Sequence, residues 1–207
     1  MLKFVLSVFL SVSISLGLVV ATNHYTPTAN YSLVRQATWL VENTQGTCSG
    51  VVVGKTSKGS LLLTAAHCDG TVVKVDGVVA LKLKKDVKRD LLLLFVPKDL
   101  GPALKVGKMP ALDEKVATVG FPMGIGEVVT EGRVQTHTSE SLTDYMLVTT
   151  PGIFGNSGGP VVVRRGMSYE LVGIVSRVMV VGNMFSSSPI PHLLFVADAQ
   201  SIKAFLN

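Results

Sequence analysis

The chain is short of the side chains on which several common functions depend. It has two cysteines and four histidines among 207 residues. Two cysteines are too few for a structural zinc centre, and no two histidines stand at ligand spacing, so no metal site is expected. Aromatic residues make up 6% of the chain, with a single tryptophan. No aromatic stripe interleaves with its basic residues, which argues against a nucleic-acid reader. No internal repeat or low-complexity tract occurs, and nothing in the sequence calls for a cofactor.

The one long apolar run lies at the start. Met1-Leu2-Lys3 is a positive beginning, residues 4–20 are apolar with interspersed serines, and Val19-Val20-Ala21 offers small residues for cleavage after Ala21. This is the pattern of a secretory signal, placing the mature protein outside the cell or in a periplasm. An uncleaved anchor is the competing reading, because a run of that length is at the lower edge of a bilayer span. No cysteine stands near the cleavage point, which argues against a lipoprotein. With the leader removed, no stable membrane insertion is expected.

Beyond the leader, short valine- and leucine-rich runs alternate with glycine, proline and serine turns. This predicts an all-β protein of barrel or sandwich type. Segments 47–53, 60–64, 71–75, 78–83 and 90–96 are expected to form a first barrel within about residues 46–100. Segments 115–120, 127–136, 145–149, 160–164, 171–178 and 193–196 are expected to form a second within about 110–197, with 97–110 as the linker. Asp198 suits the cap of a final helix over 199–206. Residues 22–45 precede this domain, and no element is assigned to them. The net charge is +5, and much of it lies in Lys82-Leu83-Lys84-Lys85-Asp86-Val87-Lys88-Arg89. Alternating lysine and apolar residues fit a strand with one wet face, and edge lysines discourage strand aggregation. A polyanion-binding surface is the other reading.

Three residues carry chemistry. In Gly155-Asn156-Ser157-Gly158-Gly159-Pro160 a serine sits in a glycine-rich turn, where glycine's conformational freedom lets successive backbone N–H groups point into one space. Leu62-Leu63-Thr64-Ala65-Ala66-His67-Cys68 ends an apolar run at a histidine. Asp90 is a lone acid immediately before four leucines. A serine hydroxyl is a poor nucleophile unless an imidazole takes its proton, and the imidazole needs a carboxylate to set its tautomer. Singly, each residue has an ordinary explanation: a turn serine, a core histidine, a strand-capping acid. Together, in the order His, Asp, Ser, they form one machine.

These segments resemble the chymotrypsin-fold serine proteases. Thr64-Ala65-Ala66-His67-Cys68 is similar to the family's histidine segment, Gly155 to Pro160 to its serine segment, and Leu171-Val172-Gly173-Ile174-Val175-Ser176 to the strand that pairs with substrate. The resemblance implies two six-stranded Greek-key barrels followed by a C-terminal helix, with His67, Asp90 and Ser157 as the catalytic triad. It places Gly155 and Ser157 in the oxyanion hole, polypeptides as substrates, and a disulfide between Cys48 and Cys68. Such a bond, closing about 20 residues, stabilises a fold by roughly 3 kcal/mol in the chain-entropy model. Asn156 stands where trypsin-like enzymes carry the aspartate that binds a freed amino terminus, so the chain looks closer to HtrA-type proteases and glutamyl endopeptidases. No zymogen ion pair is then expected, and the sequence carries no PDZ domain after the protease. The resemblance assigns substrate contacts to Pro151, Gly152, Phe154, Ser176, Arg177, Val178 and His192. Pro151 at the pocket floor argues against Lys or Arg specificity, leaving a small apolar preference or a Glu/Gln preference through His192. Two other functions compete. A catalytically idle protease fold acting as a binding module would be expected to have lost a triad residue. An esterase of the α/β-hydrolase type would carry its serine first in the triad order.

Overall fold

The computed structural model describes residues 30–140, 143–183 and 186–207. The leader 1–21 lies outside them, as do residues 22–29. Among the described residues no helix is long and apolar enough to cross a membrane.

Two β systems follow one another along the chain. The first is a seven-stranded antiparallel sheet made of β1 (Thr38–Asn43), β2 (Gly46–Thr56), β3 (Gly59–Thr64), β4 (Val73–Val75), β5 (Val78–Val79), β6 (Leu81–Asp86) and β7 (Leu91–Val96). Its order is β5-β4-β1-β2-β3-β7-β6. The edge strands β5 and β6 are neighbours in sequence, so the sheet curls back on itself into a barrel-like shape. The second system comprises β8 (Lys115–Gly120), β9 (Val128–Glu140), β10 (Thr143–Val148), β11 (Pro160–Arg165), β12 (Ser168–Asn183) and β13 (Ser186–Asp198). It closes as β10-β13-β12-β11-β8-β9. A six-residue helix α1 (Ser32–Ala37) precedes the first system, and α2 (Ala199–Leu206) follows the second.

Runs of consecutive apolar residues behave as strands buried on both faces. Successive side chains point to opposite sides of a strand. In β7, Leu91 joins the core at the junction of the two systems, while Leu92 and Leu94 join the core of the first sheet. In β11, Val161 and Val163 fill the closed barrel and Val162 faces the junction. Ile202 and Phe205 of α2 complete the junction core. The helix begins where the sequence predicts, because the Asp198 carboxylate accepts from the Ser201 N–H at 2.8 Å.

Residues 31–45, to which the sequence assigns no element, belong to the fold. Strand β1 pairs with β2 from Thr38↔Val51 to Asn43↔Gly46 and with β4 on its other edge. The first system therefore starts at Thr38 rather than near residue 46. Trp39 donates its indole N–H to the Leu100 carbonyl at 2.7 Å, tying this strand to the segment between the two systems. The basic run is an edge strand, but not one with a single wet face: β6 is exposed along nearly its whole length, Leu81 and Leu83 included. Much of its charge is spent internally. Lys82 and Lys85 both pair with Asp69, at 2.6 and 2.8 Å. Lys84 donates to the Phe205 carbonyl at 2.5 Å, at the C-terminal end of α2, where a cation is favoured.

Candidate active site

His67 lies in a 3-10 turn, Ala66–Cys68, directly after β3. The Cys48–Cys68 disulfide fastens that turn to β2. The two sulfurs are bonded to each other and so offer no thiolate, although they and the His67 ring lie together. Asp90 precedes β7 and has φ of +54°. Among non-glycine residues, aspartate is one of the few that adopt this left-handed conformation readily. It turns the carboxylate back toward His67. The His67 backbone N–H donates to Asp90 Oδ1 at 3.0 Å, and the ring Nδ1 stands 2.8 Å from Oδ2. Ser176 on β12 donates its hydroxyl to the same Oδ2 at 2.5 Å. An ionised carboxylate only accepts, so Nδ1 carries a ring proton, and in the neutral imidazole Nε2 is then the nitrogen with the lone pair. Asp90 is 8% exposed, whereas the His67 side chain is 47% exposed and opens on the cleft.

Burial by itself raises the Asp90 carboxyl. The hydrogen bonds from His67 and Ser176 outweigh it and hold the group below the ordinary carboxylate range.

Ser157 comes from the other system, between β10 and β11. Its turn needs glycine at two places. Gly155 has φ of +96° and Gly158 of +82°, and a Cβ on Gly158 would stand 2.1 Å from the Ser49 carbonyl oxygen. The turn is clamped from outside. Met123 N–H donates to the Phe154 carbonyl at 2.8 Å, and the Ser49 N–H to the Ser157 carbonyl at 2.7 Å. The Ser49 hydroxyl donates to the Gly155 carbonyl at 2.8 Å and accepts from the Phe121 N–H at 2.9 Å. In a planar trans peptide the N–H points opposite to the carbonyl. The Phe154 carbonyl faces Met123, so the Gly155 N–H is directed away from it. Among the described residues, neither the Gly155 nor the Ser157 N–H donates a hydrogen bond, and none joins the Ser157 hydroxyl to His67. Such contacts often tighten only when substrate is bound. Asn156 is 5% exposed. Its side chain is turned inward, with Oδ1 2.7 Å from where a Cβ on Gly120 would sit.

His67 and Ser157 stand between two hollows. One, of about 620 Å³, is lined by them together with Phe154, Ser176, Arg177 and Val178. The other, of about 370 Å³, also touches His67, Phe154 and Ser157 and extends to Met123. Pro151, Gly152 and His192 are outside the lining of both. Pro151 accepts from the Thr130 hydroxyl at 2.9 Å. Gly152 donates to the Pro191 carbonyl at 2.7 Å, which brings the part of β13 that carries the exposed His192 to the segment before the serine. Sequence reasoning passed over Ser49 and Met123. Their contribution is contact with a turn about 100 residues and 30 residues away, which no local pattern announces.

Comparison with known proteins agrees with this architecture. No curated protein sequence matches the chain. Among solved structures, an inactive serine-to-alanine mutant of the Mycobacterium tuberculosis H37Rv protein Rv3671c superposes with a TM-score of 0.69 at 17% identity, covering 85% of this chain and 87% of that one. A serine-to-alanine variant of the HtrA-type protease AlgW, solved with a tripeptide, gives 0.71 at 21% identity over 85% of this chain and 60% of its own. A serine endoprotease from Yersinia pestis gives 0.65 at 22% identity over 86% and 65%. Identities this low speak to the fold. The family model that describes the trypsin-like peptidase domain matches residues 48–174. That span is more than half of the chain and holds His67, Asp90 and Ser157, so the protein belongs to the trypsin-like peptidase domain family.

Proposed function

We propose that the protein is an exported serine endopeptidase working through an acyl-enzyme. The observation that carries this reading is the shared cleft, where the Asp90-bonded His67 and the glycine-turn Ser157 meet although they come from separate β systems. Ser157 attacks the peptide carbonyl while His67 Nε2 takes its proton. Asp90 holds the ring and stabilises the cation that forms. The unspent N–H groups of Gly155 and Ser157 receive the developing oxyanion. His67 then returns the proton to the departing amine, and water repeats the sequence in reverse to free the acid. With Asn156 in place of an aspartate, the turn is held by Ser49 and Met123 rather than by an ion pair with a new amino terminus. The leader-like segment and the Cys48–Cys68 disulfide support export to an oxidising compartment.

The direct test is labelling with a fluorophosphonate followed by peptide mass spectrometry. A single adduct on Ser157 is expected. An intact, unlabelled protein would favour the idle binding module instead.

The Ser49 clamp makes its own prediction. Ser49→Ala removes two hydrogen bonds, each contributing about 1 kcal/mol, that tie the Gly155 carbonyl of the serine turn to Phe121. Steady-state kinetics should show kcat lowered on the order of 10-fold or more with KM little changed. A raised KM at unchanged kcat would mean that Ser49 affects substrate binding alone.

A further inference from the structure

The larger hollow carries positive charge that the proposed chemistry does not use. Its lining contains Lys85, Arg177 and one acid, Asp90. Asp90 is already engaged by His67 and Ser176. Lys85 is answered by Asp69 at 2.8 Å. Arg177 is different. Its Nη2 donates to the Tyr145 hydroxyl at 2.8 Å, and its guanidinium carbon lies 5.2 Å from the centre of the Tyr145 ring. Both contacts are to a neutral partner. Among the described residues no carboxylate lies within ion-pair distance of Arg177.

Tyr145 is a fixed platform. It is 8% exposed, its ring packs edge-on against Phe195, and its hydroxyl donates to the Lys88 carbonyl at 3.4 Å. Its one proton is therefore spent, and toward Arg177 it can only accept. The guanidinium is thus oriented through one of its five N–H groups, leaving a planar fork suited to a carboxylate.

The backbone shows which part of a substrate would meet that fork. Strand β12 pairs with β11 only as far as Ile174, and Val175 bonds the serine turn through Gly158 and Gly159. On its other edge β13 accompanies β12 through Asn183. From Ser176 onward the β11-side edge has no strand partner among the described residues, so an extended peptide can add to it as a further strand. Ser176 touches the Asp90 carboxylate that holds His67, so the reacting carbonyl belongs beside Ser176. At about 3.3 Å per residue along a strand, Arg177 and Val178 face substrate residues further along the acyl side.

We propose that Arg177 selects substrates carrying an aspartate or glutamate at the second to fourth residue before the scissile bond, by receiving that carboxylate in the larger hollow. The selection rests on the peptidase reading above and concerns a different substrate residue from the one whose carbonyl is attacked.

The experiment is a quenched-fluorescent peptide library varied at those three positions. It is run on the wild type, Arg177→Gln and Arg177→Glu, each also labelled with fluorophosphonate to confirm an intact site. For the wild type, kcat/KM for Asp or Glu should exceed that for Asn or Gln at one of these positions on the order of 10-fold, as befits a charge-assisted hydrogen bond at a partly exposed site. That ratio should fall to about one in Arg177→Gln, and Arg177→Glu should favour lysine there. Labelled enzyme with no preference for acid over amide, or a preference that survives in Arg177→Gln, overturns the assignment while leaving the peptidase reading in place. Neither labelling nor cleavage by the wild type overturns both.

Discussion

Ser157→Ala is expected to lower peptide hydrolysis about 10⁶-fold, the loss seen when a serine protease forfeits its nucleophile. Fluorophosphonate labelling should disappear with it. The size of the effect follows from what the hydroxyl alone supplies. Without it no acyl-enzyme forms, and His67 has no proton to take. What remains are the backbone donors of the turn, which in related machinery leave a residual acceleration of 10³–10⁴ over water. The substitution should spare the fold. The contacts that hold the turn run through the Ser157 carbonyl and through the Gly155 and Phe154 carbonyls, none of which alanine alters. The variant should still bind peptide with an affinity close to that of the wild type and melt at nearly the same temperature. Activity within a hundredfold of wild type in a protein of unchanged melting temperature would assign the nucleophile elsewhere.

Asp90→Asn is expected to lower kcat on the order of 10⁴-fold, the cost of presenting the histidine in the wrong tautomer. The carboxylate accepts three hydrogen bonds, from the His67 N–H, the His67 ring and the Ser176 hydroxyl. An asparagine offers one acceptor oxygen and an NH₂ group that must donate. If the NH₂ faces Nδ1, the ring proton moves to Nε2, and the base that should receive the Ser157 proton is already occupied. The same substitution carries a stability signature. Asp90 has its folded-state pKa lowered. Its contribution to stability is therefore complete above the unfolded value of about 3.9, and is lost as the pH falls through the lower folded-state value. The melting temperature of Asp90→Asn should lie below that of the wild type at neutral pH, and the gap should narrow on acidification below about pH 4. A gap that widened in acid would show that Asp90 is not held ionised by His67 and Ser176. A neutral-pH kcat reduced less than tenfold would remove Asp90 from the proposed mechanism.

The legible parts of this chain are those in which neighbouring residues share one cause. Leu91 to Leu94 mark a segment buried on both faces, and Asp198 before Ala199 suits the cap of a helix that starts there. The turn from Gly155 to Pro160 announces itself because positive φ at Gly155 and Gly158 demands glycine. Strand β1 is less visible: Thr38-Trp39-Leu40-Val41-Glu42-Asn43 has no strict alternation, and its place follows from pairing on both edges with β2 and β4. The lysines of β6 read correctly as an edge, but their partners Asp69 and Phe205 are fixed by how the chain returns on itself.

At the site the division is sharper. Residue chemistry and order mark His67, Asp90 and Ser157 as candidates, because acyl transfer requires a base, its orienting acid and a nucleophile, and few residue types can serve; the pairing of Cys48 with Cys68 comes from the family resemblance. Folding decides everything that depends on distance. It brings Ser176 to Asp90, sets the Ser49 hydroxyl against Gly155, and leaves Arg177 on Tyr145 with no carboxylate partner among the described residues. Hydrogen bonds and ion pairs act over a few ångströms, whereas these partners are separated by tens of residues along the chain. Packing of one β system against the other makes Ser176 and Asp90, and Ser49 and Gly155, neighbours; closure of the second barrel on itself does the same for Arg177 and Tyr145.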